Sequence, residues 1–579
     1  MKRKGYKGRV WPCLVLLVAA LFPLLFTGKV QAKEAGACYE VFVYSFYDSD
    51  GDGVGDLTGL TQKLDYFGPE GLGFDGLWVM PIFPSPSYHK YDVTDYYGID
   101  SQYGTMETFD ELLKACHEKG VSLYLDLPIN HTSDEHPWFA EAAAYLRSLP
   151  AGEDLREEEC PYVSYYQFER EARDGYAPLP GTEWYYEARF SPDMPDLNLD
   201  HEKVREEIRN VVAYWLDKGV DGFRLDAVTS YYTESKEKSI SFLGWFTQMS
   251  KELRPDVYLV GEAWADLNVY ASYYESGIDS LFDFAFGGPE GVIAAVARGK
   301  RPASWYGQKL AEEEALFSSY KADYVRAPFY TNHDMGRGAG YYTKDDGSRA
   351  KLALALHLLM PGKVFLYYGE ELGMKGSGRD ENKRAPMYWK EEGEGLCQGP
   401  PEMEEVTMKY GPLSNQEEDP SSIYSFVKTL LSLRRAYPVI GEGTSVFLEE
   451  LSGKEACVLL REEIEGEAEE VEENEEIEEE AEKAEENEEI EEKGIEEEES
   501  NEQIEEKDGE ESKGREVLLA YNTSEEEITL DLGAWEEKEG ADCRLAGGAF
   551  ARGGEASYEE EILTLPPMGV AVLEVLKTP

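Results

Sequence analysis

The chain has 579 residues and a formal net charge of −61 at pH 7. A chain of this length exceeds one hydrophobic core, so we expect a large domain together with one or two smaller domains. The acidic composition excludes nucleic acid and anionic membranes as natural partners, because both bind basic surfaces.

Residues 1–32 are predicted to form a signal peptide. Basic residues precede an apolar stretch, and the small residues around Ala32 provide a cleavage site. Pro12 and Pro23 interrupt the apolar stretch, which makes it a poor membrane span. We therefore expect a secreted protein whose mature form has no stable membrane span. Cleavage before Cys38 with lipid attachment is an alternative, but the usual upstream leucine is missing.

From residue 39 to about residue 435 the sequence alternates between strand-like and helical patterns. The predicted helices include residues 57–67, 106–119, 203–218 and 348–359. The predicted strands are residues 39–46, 76–80, 121–126, 220–226, 257–261, 324–329 and 364–367. Such alternation predicts a parallel sheet with crossover helices, and at this length an α/β fold with a closed (β/α)8 TIM barrel.

The barrel is expected to consist of residues 33–131 and 201–437. Residues 132–200 are rich in tyrosine, proline and acidic residues and are too long for a βα loop. They predict a small inserted domain after strand 3. Beyond Arg435 the helices stop, and short β-like runs predict a C-terminal all-β domain over residues 438–461 and 515–579.

Residues 462–514 form an acidic low-complexity insertion within the C-terminal domain. The segment from Glu462 to Lys513 contains 30 acidic residues and four lysines, and it includes the octet EENEEIEE twice. Glutamate and alanine favour helix, but like charges four residues apart oppose it. We therefore predict disorder, and we interpret the insertion as a solvated segment without a specific function.

Six cysteines follow the predicted signal peptide, and none has a short CxxC spacing. This spacing argues against a metal cluster. Disulfides are compatible with an oxidising compartment, but their pairing does not follow from the sequence.

Four segments place polar groups at the ends of predicted strands. They are DLPINH at residues 126–131, GFRLDAV at 222–228, GEAW at 261–264 and FYTNHD at 329–334. Because strand side chains alternate, Arg224 and Asp226 point to the same side, and the arginine favours an ionised aspartate.

Glu262 is followed by Ala263 and Trp264, and apolar surroundings raise the pKa of a carboxyl group. An ionised carboxylate beside a protonated one is the minimum set for glycoside hydrolysis, as nucleophile and proton donor. Asp334 supplies a third carboxylate that could bind sugar hydroxyls.

The tract DSDGDGVGD at residues 48–56 presents several oxygen ligands. It imitates the first nine positions of an EF-hand loop, but Gly59 replaces the bidentate glutamate at position twelve. The tract is therefore either another type of calcium loop or a plain acidic turn. Its candidate ligands are Asp48, Asp50, Asp52, the Val54 carbonyl and Asp56.

The four segments, in this order, resemble the conserved regions of the α-amylase family of retaining glycoside hydrolases, family thirteen. The resemblance covers residues 39 to about 440. It implies that Asp226 is the nucleophile, Glu262 the general acid/base and Asp334 the transition-state stabiliser. It also implies that Arg224, His131 and His333 bind substrate in the same subsite.

Two further segments extend the resemblance. YHKYDVTDYY at residues 88–97 implies that His89 and Tyr91 lie at the site, with Tyr91 as a stacking platform. GEELGMKGSGRDENKRAPMYW at residues 369–389 resembles a loop that binds substrate, here through Asp380 and Arg384. Loops similar to DSDGDGVGD hold a structural calcium ion in related enzymes, which implies Ca²⁺ as a cofactor.

The resemblance also indicates a place within the family. MPDLN at residues 194–198 is typical of a group intermediate between oligo-1,6-glucosidases and neopullulanases, and Ala227 favours α-1,4 bonds. Thr229 and Ser230 replace the Lys-His pair of many members, which argues against the usual inter-domain calcium.

We therefore predict a secreted, monomeric α-amylase that acts on the α-1,4 bonds of starch, glycogen or maltooligosaccharides. One alternative is a neopullulanase-like or oligo-α-glucosidase activity on short oligosaccharides. The other is a glucan-binding protein without catalytic activity.

Overall fold

A computed structural model describes residues 35–342, 346–404, 406–463 and 516–577. Eight parallel strands form one sheet in which each strand from the first to the sixth pairs with the next, and the eighth pairs with the first. A bridge between Phe329 and Phe365 brings the seventh and eighth strands together. The predicted (β/α)8 barrel is thereby confirmed. The eight barrel strands are Gly36–Val41, Gly76–Val79, Ser122–Leu127, Gly222–Leu225, Tyr258–Gly261, Ser280–Phe282, Val325–Ala327 and Lys363–Tyr367.

Two barrel strands differ substantially from the sequence predictions. The sixth strand, Ser280–Phe282, has only three residues and is too short to show a periodic pattern, so it was not predicted. The first strand ends at Val41 because Val43–Ser45 turns into a 3-10 helix, whereas the prediction extended it to residue 46.

The helices pack their apolar faces against the barrel. In Glu202–Lys218 the buried residues include Val204, Ile208, Val211 and Trp215, which recur every three or four positions along one face. The α-helices are Leu57–Gln62, Leu64–Phe67, Met106–Glu118, Pro137–Ser148, Glu202–Lys218, Lys236–Leu253, Leu267–Ala271, Val292–Ala297, Ala303–Tyr320, Ser348–Leu358, Asp380–Lys383, Leu413–Gln416, Ile423–Ala436, Val439–Glu442 and Gly533–Glu539.

The segment after the third barrel strand has its own small fold. It contains helix Pro137–Ser148 and a three-stranded antiparallel sheet of Phe168–Glu169, Tyr185–Glu187 and Tyr176–Pro178. Phe139 on the helix packs against the ring of Tyr186 on the sheet. The segment returns to the barrel through a bridge between His131 and Asp196, which places its exit beside the end of the third barrel strand.

The C-terminal region is a pair of antiparallel sheets. The larger sheet has five strands in the order Thr444–Phe447, Ala456–Glu462, Glu516–Asn522, Gly569–Lys577 and Ala541–Phe550. The smaller sheet has three, Ile528–Asp531, Ile562–Leu565 and Ser557–Glu559. Buried side chains of both sheets, such as Leu518 and Leu563, share one apolar cluster.

The prediction that helices stop beyond residue 435 was wrong in two places. Val439–Glu442 and Gly533–Glu539 are short helices. Strand Ala541–Phe550 was also missed, because its sequence ADCRLAGGAF mixes charged residues and glycines without an alternating apolar pattern.

The strands on either side of the acidic insertion are neighbours in the larger sheet. Ala456–Glu462 pairs antiparallel with Glu516–Asn522, and the register is continuous up to the pair Glu462 and Glu516. The insertion thus connects two ends that already lie side by side. Disorder is predicted for residues 462–514. Positions 464–514 of this range lie outside the described residues.

Replacing residues 463–515 by the dipeptide Asn-Gly should leave the fold intact. A two-residue turn closes an antiparallel pair whose register is already complete, and the shorter connection lowers the entropy lost on folding. We expect the thermal unfolding midpoint to stay within about 5 °C of the full chain or to rise. Circular dichroism against temperature measures it, and a fall of more than about 10 °C would show that the insertion stabilises the sheet.

The structure tests only some of the remaining sequence predictions. None of the six cysteines in the described ranges forms a disulfide. Within these ranges, no helix is both long and apolar enough to cross a bilayer. The predicted signal peptide, residues 1–32, lies outside the described residues.

Candidate active site

One buried arginine connects three carboxylates at the ends of neighbouring barrel strands. Arg224 is completely buried, and its Nη1 atom donates to Asp126 Oδ1 at 2.8 Å and to Asp226 Oδ1 at 2.7 Å. Its Nη2 atom lies 2.7 Å from Glu262 Oε2. The guanidinium thus contacts both predicted catalytic carboxylates, Asp226 and Glu262.

The backbone sets Asp226 and Glu262 side by side. The Glu262 N–H donates to the Leu225 carbonyl, and the Val228 N–H donates to the Glu262 carbonyl, which extends the pairing of the fourth and fifth strands. Between these bonds Ala227 has a left-handed backbone with φ +43°, and its N–H donates to Glu262 Oε2 at 3.2 Å. This turn directs both carboxylates to the same end of the barrel.

Burial gives the two carboxylates different affinities for protons. It raises the pKa of Asp226 to about 6 and that of Glu262 to about 7, while the neighbouring Arg224 opposes both shifts. Asp226 therefore ionises first, and Glu262 retains its proton to a higher pH. These are the states that a nucleophile and a proton donor require.

Asp334 is held as an anion by two cationic groups. His333 Nε2 lies 3.1 Å from Asp334 Oδ2, and Arg384 Nη2 donates to Asp334 Oδ1 at 2.8 Å. Burial opposes ionisation, but His333 and Arg384 outweigh it and keep the pKa of Asp334 well below its usual range. Burial also disfavours the His333 imidazolium, yet Asp334 and Glu40 raise the pKa of His333 to about 10.

Tyr91 joins the Asp334 group to the Arg224 group. Its hydroxyl donates to Asp126 Oδ2 at 2.9 Å and lies 2.8 Å from His333 Nε2. Its ring stacks on the imidazole of His333, with centroids 5.6 Å apart. The Tyr91 N–H donates to His89 Nδ1 at 3.2 Å, which leaves His89 Nε2 as a donor for a ligand.

His131 lies at the junction of the barrel and the inserted domain. Its side chain is buried, and neither ring nitrogen has a hydrogen-bond partner among the described residues. Burial lowers the pKa of His131 to about 4, so the imidazole is neutral above that pH. A neutral ring with both nitrogens unoccupied can bind a ligand hydroxyl group.

Asp380 is separate from the other predicted site residues. Its side chain is 56% exposed and pairs with Lys383 at 2.7 Å, whereas Arg384 is buried against Asp334. Lys383 also donates to the Asp334 carbonyl at 2.9 Å. The loop therefore reaches the site through Lys383 and Arg384 rather than through Asp380.

The site contains two carboxylates that the sequence analysis did not assign. Asp126 pairs with Arg224 in the register of the third and fourth strands, and Glu40 Oε1 lies 2.6 Å from His333 Nδ1. The sequence could have indicated both residues, because Glu40 and Asp126 are charged residues within apolar strands, and a buried charge needs a partner.

Two exposed aromatic side chains lie beside the buried groups. Trp264, two residues after Glu262, is 53% exposed and stacks on Phe284 with centroids 5.2 Å apart. Phe190 from the inserted domain is 51% exposed and lies 5.3 Å from the ring of His131. Flat apolar rings at these positions can pack against the faces of a sugar.

The acidic tract after the first barrel strand gathers three carboxylates. Asp48, Asp50 and Asp56 each place an oxygen within 4.8 Å of the others. Asp52 is outside this set, and its carboxylate accepts from the Val54 N–H at 2.8 Å. Three hard carboxylate oxygens suit a calcium ion, and Asp56 also caps helix Leu57–Gln62 by accepting from Gly59.

Comparison with known proteins agrees with this geometry. The family described as "Alpha amylase, catalytic domain" matches residues 40–443. Alpha-amylase 3 of Dictyoglomus thermophilum is 42% identical over an aligned length of 410 residues, and the alignment covers 68% of this chain and 76% of that protein. Oligo-1,6-glucosidase of Heyndrickxia coagulans is 28% identical over an aligned length of 494 residues, and the alignment covers 70% of this chain and 85% of that protein.

A solved structure extends the similarity to nearly the whole chain. Eubacterium rectale Amy13B is 42% identical and superposes with a TM-score of 0.82, covering 95% of this chain and 96% of that one. The chain therefore belongs to the α-amylase family of glycoside hydrolases.

Proposed function

We propose that the protein is a secreted, monomeric α-amylase that hydrolyses α-1,4 bonds of starch, glycogen or maltooligosaccharides with retention of configuration. The observation that carries the proposal is the contact of one guanidinium, Arg224, with both Asp226 and Glu262. Retaining glycosidases need two carboxyl groups about 5 Å apart, closer than the pair of an inverting enzyme. Because Asp226 and Glu262 contact the same guanidinium, they are close to each other, as a retaining mechanism requires.

The reaction proceeds by two displacements. Asp226 attacks the anomeric carbon while Glu262 donates its proton to the departing glycosidic oxygen, which forms a covalent glycosyl-enzyme. Glu262, now ionised, then removes a proton from water, and the water releases the sugar from Asp226. Arg224 contacts both groups throughout and favours the ionised form of each.

The other groups orient the sugar and stabilise its developing positive charge. Asp334 is a fixed anion that accepts hydrogen bonds from sugar hydroxyls, and His89 and His131 offer ring nitrogens to other hydroxyls. Trp264 and Phe190 supply exposed apolar rings against which sugars of the substrate can pack.

The residue after the nucleophile and a segment of the inserted domain bear on bond specificity. Ala227 after the nucleophile and the MPDLN segment favour α-1,4 cleavage, and Alpha-amylase 3 is 42% identical to this chain. The second candidate is an oligo-1,6-glucosidase, because relatives with that name are 28 to 30% identical over 70 to 72% of this chain. A neopullulanase-like activity is a further alternative, and retention of all three carboxylates argues against a binding protein without catalysis.

Hydrolysis of starch, pullulan, isomaltose and maltotriose, with the product anomers followed by NMR, tests these alternatives. The proposed function requires cleavage of starch with α-anomers released first. Activity confined to isomaltose would indicate the oligo-1,6-glucosidase, and initial β-anomers would exclude a retaining mechanism. Binding of starch without turnover would indicate a glucan-binding protein.

The pH dependence of kcat/KM should be a narrow bell. Asp226 must be ionised and Glu262 protonated, so kcat/KM rises as the pH passes about 6 and falls as it passes about 7. Initial rates on maltotriose at constant ionic strength measure the two limbs. A profile that stays flat to pH 9 would contradict the assignment of Glu262 as the proton donor.

We propose that Asp48, Asp50 and Asp56 hold a structural calcium ion. The ion would contribute stability by binding only the folded chain, about 3 kcal/mol at a concentration one hundred times its Kd. We expect Ca²⁺ to raise the thermal unfolding midpoint relative to the protein in EDTA, and Asp50→Asn to reduce this rise. Asp50 is the suitable position because its amide substitute can still accept from the Asp52 N–H.

The control for the calcium experiment is Asp323→Asn, an exposed aspartate in another part of the barrel. It should leave the calcium-dependent rise unchanged. An equal unfolding midpoint in Ca²⁺ and EDTA for the unsubstituted protein would contradict the calcium site.

A further inference from the structure

Lys90 lies between His89 and Tyr91 and has an unusual backbone. Its φ is +67°, in the left-handed region, and its side chain is buried. For a residue with a Cβ atom this conformation costs about 1 to 2 kcal/mol relative to the right-handed region. Such a conformation persists only where surrounding contacts hold it, and it often marks a functional site.

The contacts that hold Lys90 are polar and buried. Its Nζ atom lies 2.8 Å from Asp100 Oδ2 and donates to Gln102 Oε1 at 2.8 Å. Asp100 also accepts the N–H groups of Ser85, at 3.1 Å, and of Gln102, at 2.9 Å. Both charges are thus compensated by ionic and hydrogen-bonding partners, which a buried ion pair needs to be stable.

The turn at Lys90 sets the direction of its two neighbours. Lys90 is directed at Asp100 and Gln102, whereas Tyr91 contacts His333 and the ring of His89 lies against that of Tyr91. The turn is tight enough for the Tyr91 N–H to donate to His89 Nδ1. Tyr91 then reaches both Asp126 and His333 with its hydroxyl.

We propose that Lys90 is a positioning residue, and that its buried pair with Asp100 holds the left-handed turn that directs His89 and Tyr91 at the bound sugar. The inference rests on the proposed function, because the sugar is the ligand that these two side chains would contact. Lys90 itself points away from the site and touches neither substrate nor the catalytic carboxylates.

A role in positioning differs from a role in stability alone. If the turn relaxes, Tyr91 no longer donates to Asp126, and the less compensated Asp126 charge disfavours ionisation of Asp226. The acidic limb of the kcat/KM profile then moves to higher pH. A residue that only stabilises the fold leaves the profile of the folded enzyme unchanged.

The test uses Lys90→Met, which keeps an unbranched stem but removes the ammonium, and Asp100→Asn. Each is assayed on maltotriose at 25 °C, after circular dichroism has shown that the chain is folded. We expect kcat/KM to fall at least about tenfold for each variant, mainly through kcat, together with the shift of the acidic limb. The matched control is Lys218→Met, which removes another lysine from an ion pair, with Asp110 at 2.9 Å.

A second variant covers the case in which Lys90→Met does not fold. Lys90→Gly has no ammonium, but glycine adopts left-handed and right-handed backbones about equally, so the turn loses its anchor and is only partly populated. It should lower kcat/KM and shift the acidic limb in the same direction as Lys90→Met, but to a smaller extent. Wild-type kcat/KM and an unchanged pH profile in folded Lys90→Met or Lys90→Gly would overturn the proposal, whereas absence of hydrolysis by the unsubstituted protein would overturn the proposed function instead.

Discussion

Replacing Asp226 with asparagine is expected to lower kcat/KM for starch at least about 10,000-fold, a loss of about 5 kcal/mol in transition-state stabilisation. The amide cannot attack the anomeric carbon, so the glycosyl-enzyme does not form. The fold should persist, because asparagine has the size of aspartate and Arg224 keeps its bonds to Asp126. Initial rates on starch measure the loss, and calorimetric titration with maltotriose should show that binding remains.

The control for this variant is Asp256→Asn, a change of the same kind at an exposed residue. It should have wild-type kinetics. Turnover of Asp226→Asn within about tenfold of the unsubstituted enzyme would place the nucleophile elsewhere.

Replacing Glu262 with glutamine should have the second largest effect. Without the proton donor, kcat for starch is expected to fall about 1,000-fold to 10,000-fold. The loss in formation of the glycosyl-enzyme should be much smaller for α-maltosyl fluoride, because fluoride departs without a full proton transfer. The alkaline limb of the pH profile should disappear, since the group that titrates there at about 7 is absent.

Azide provides an internal control for Glu262→Gln. As an anion, azide can attack the glycosyl-enzyme without a general base, so it should accelerate turnover of α-maltosyl fluoride and give an α-glycosyl azide. Equal losses on starch and on the fluoride, with no response to azide, would mean that Glu262 acts neither as acid nor as base.

The barrel could be predicted because most of its strands are short apolar runs between helical patterns. Ser280–Phe282 escaped prediction because three residues carry no period, although its pairing with the fifth strand contributes to barrel closure. The strand ends also predicted which side chains lie close together, because parallel strands deliver the residues after them to one edge of the barrel.

The physical reasons inferred for the site were only partly correct. The sequence predicts a raised pKa for Glu262 from its apolar neighbours Ala263 and Trp264, but the Trp264 side chain is 53% exposed, and burial of Glu262 itself provides the shift. The pairing of Arg224 with Asp226 was foreseen, whereas its contact with Glu262 depends on the left-handed turn at Ala227. Such a turn at an alanine has no sequence signal.

The bond between Glu40 and His333 joins residues 293 positions apart in the chain. Glu40 belongs to the first barrel strand, and His333 follows the seventh, so the cationic partner of Asp334 is in place only after the two ends of the sheet have met. A chain whose early strands alone have formed would lack this charge arrangement. During synthesis or refolding, hydrolytic activity therefore reports completion of the barrel rather than the appearance of its helices and strands.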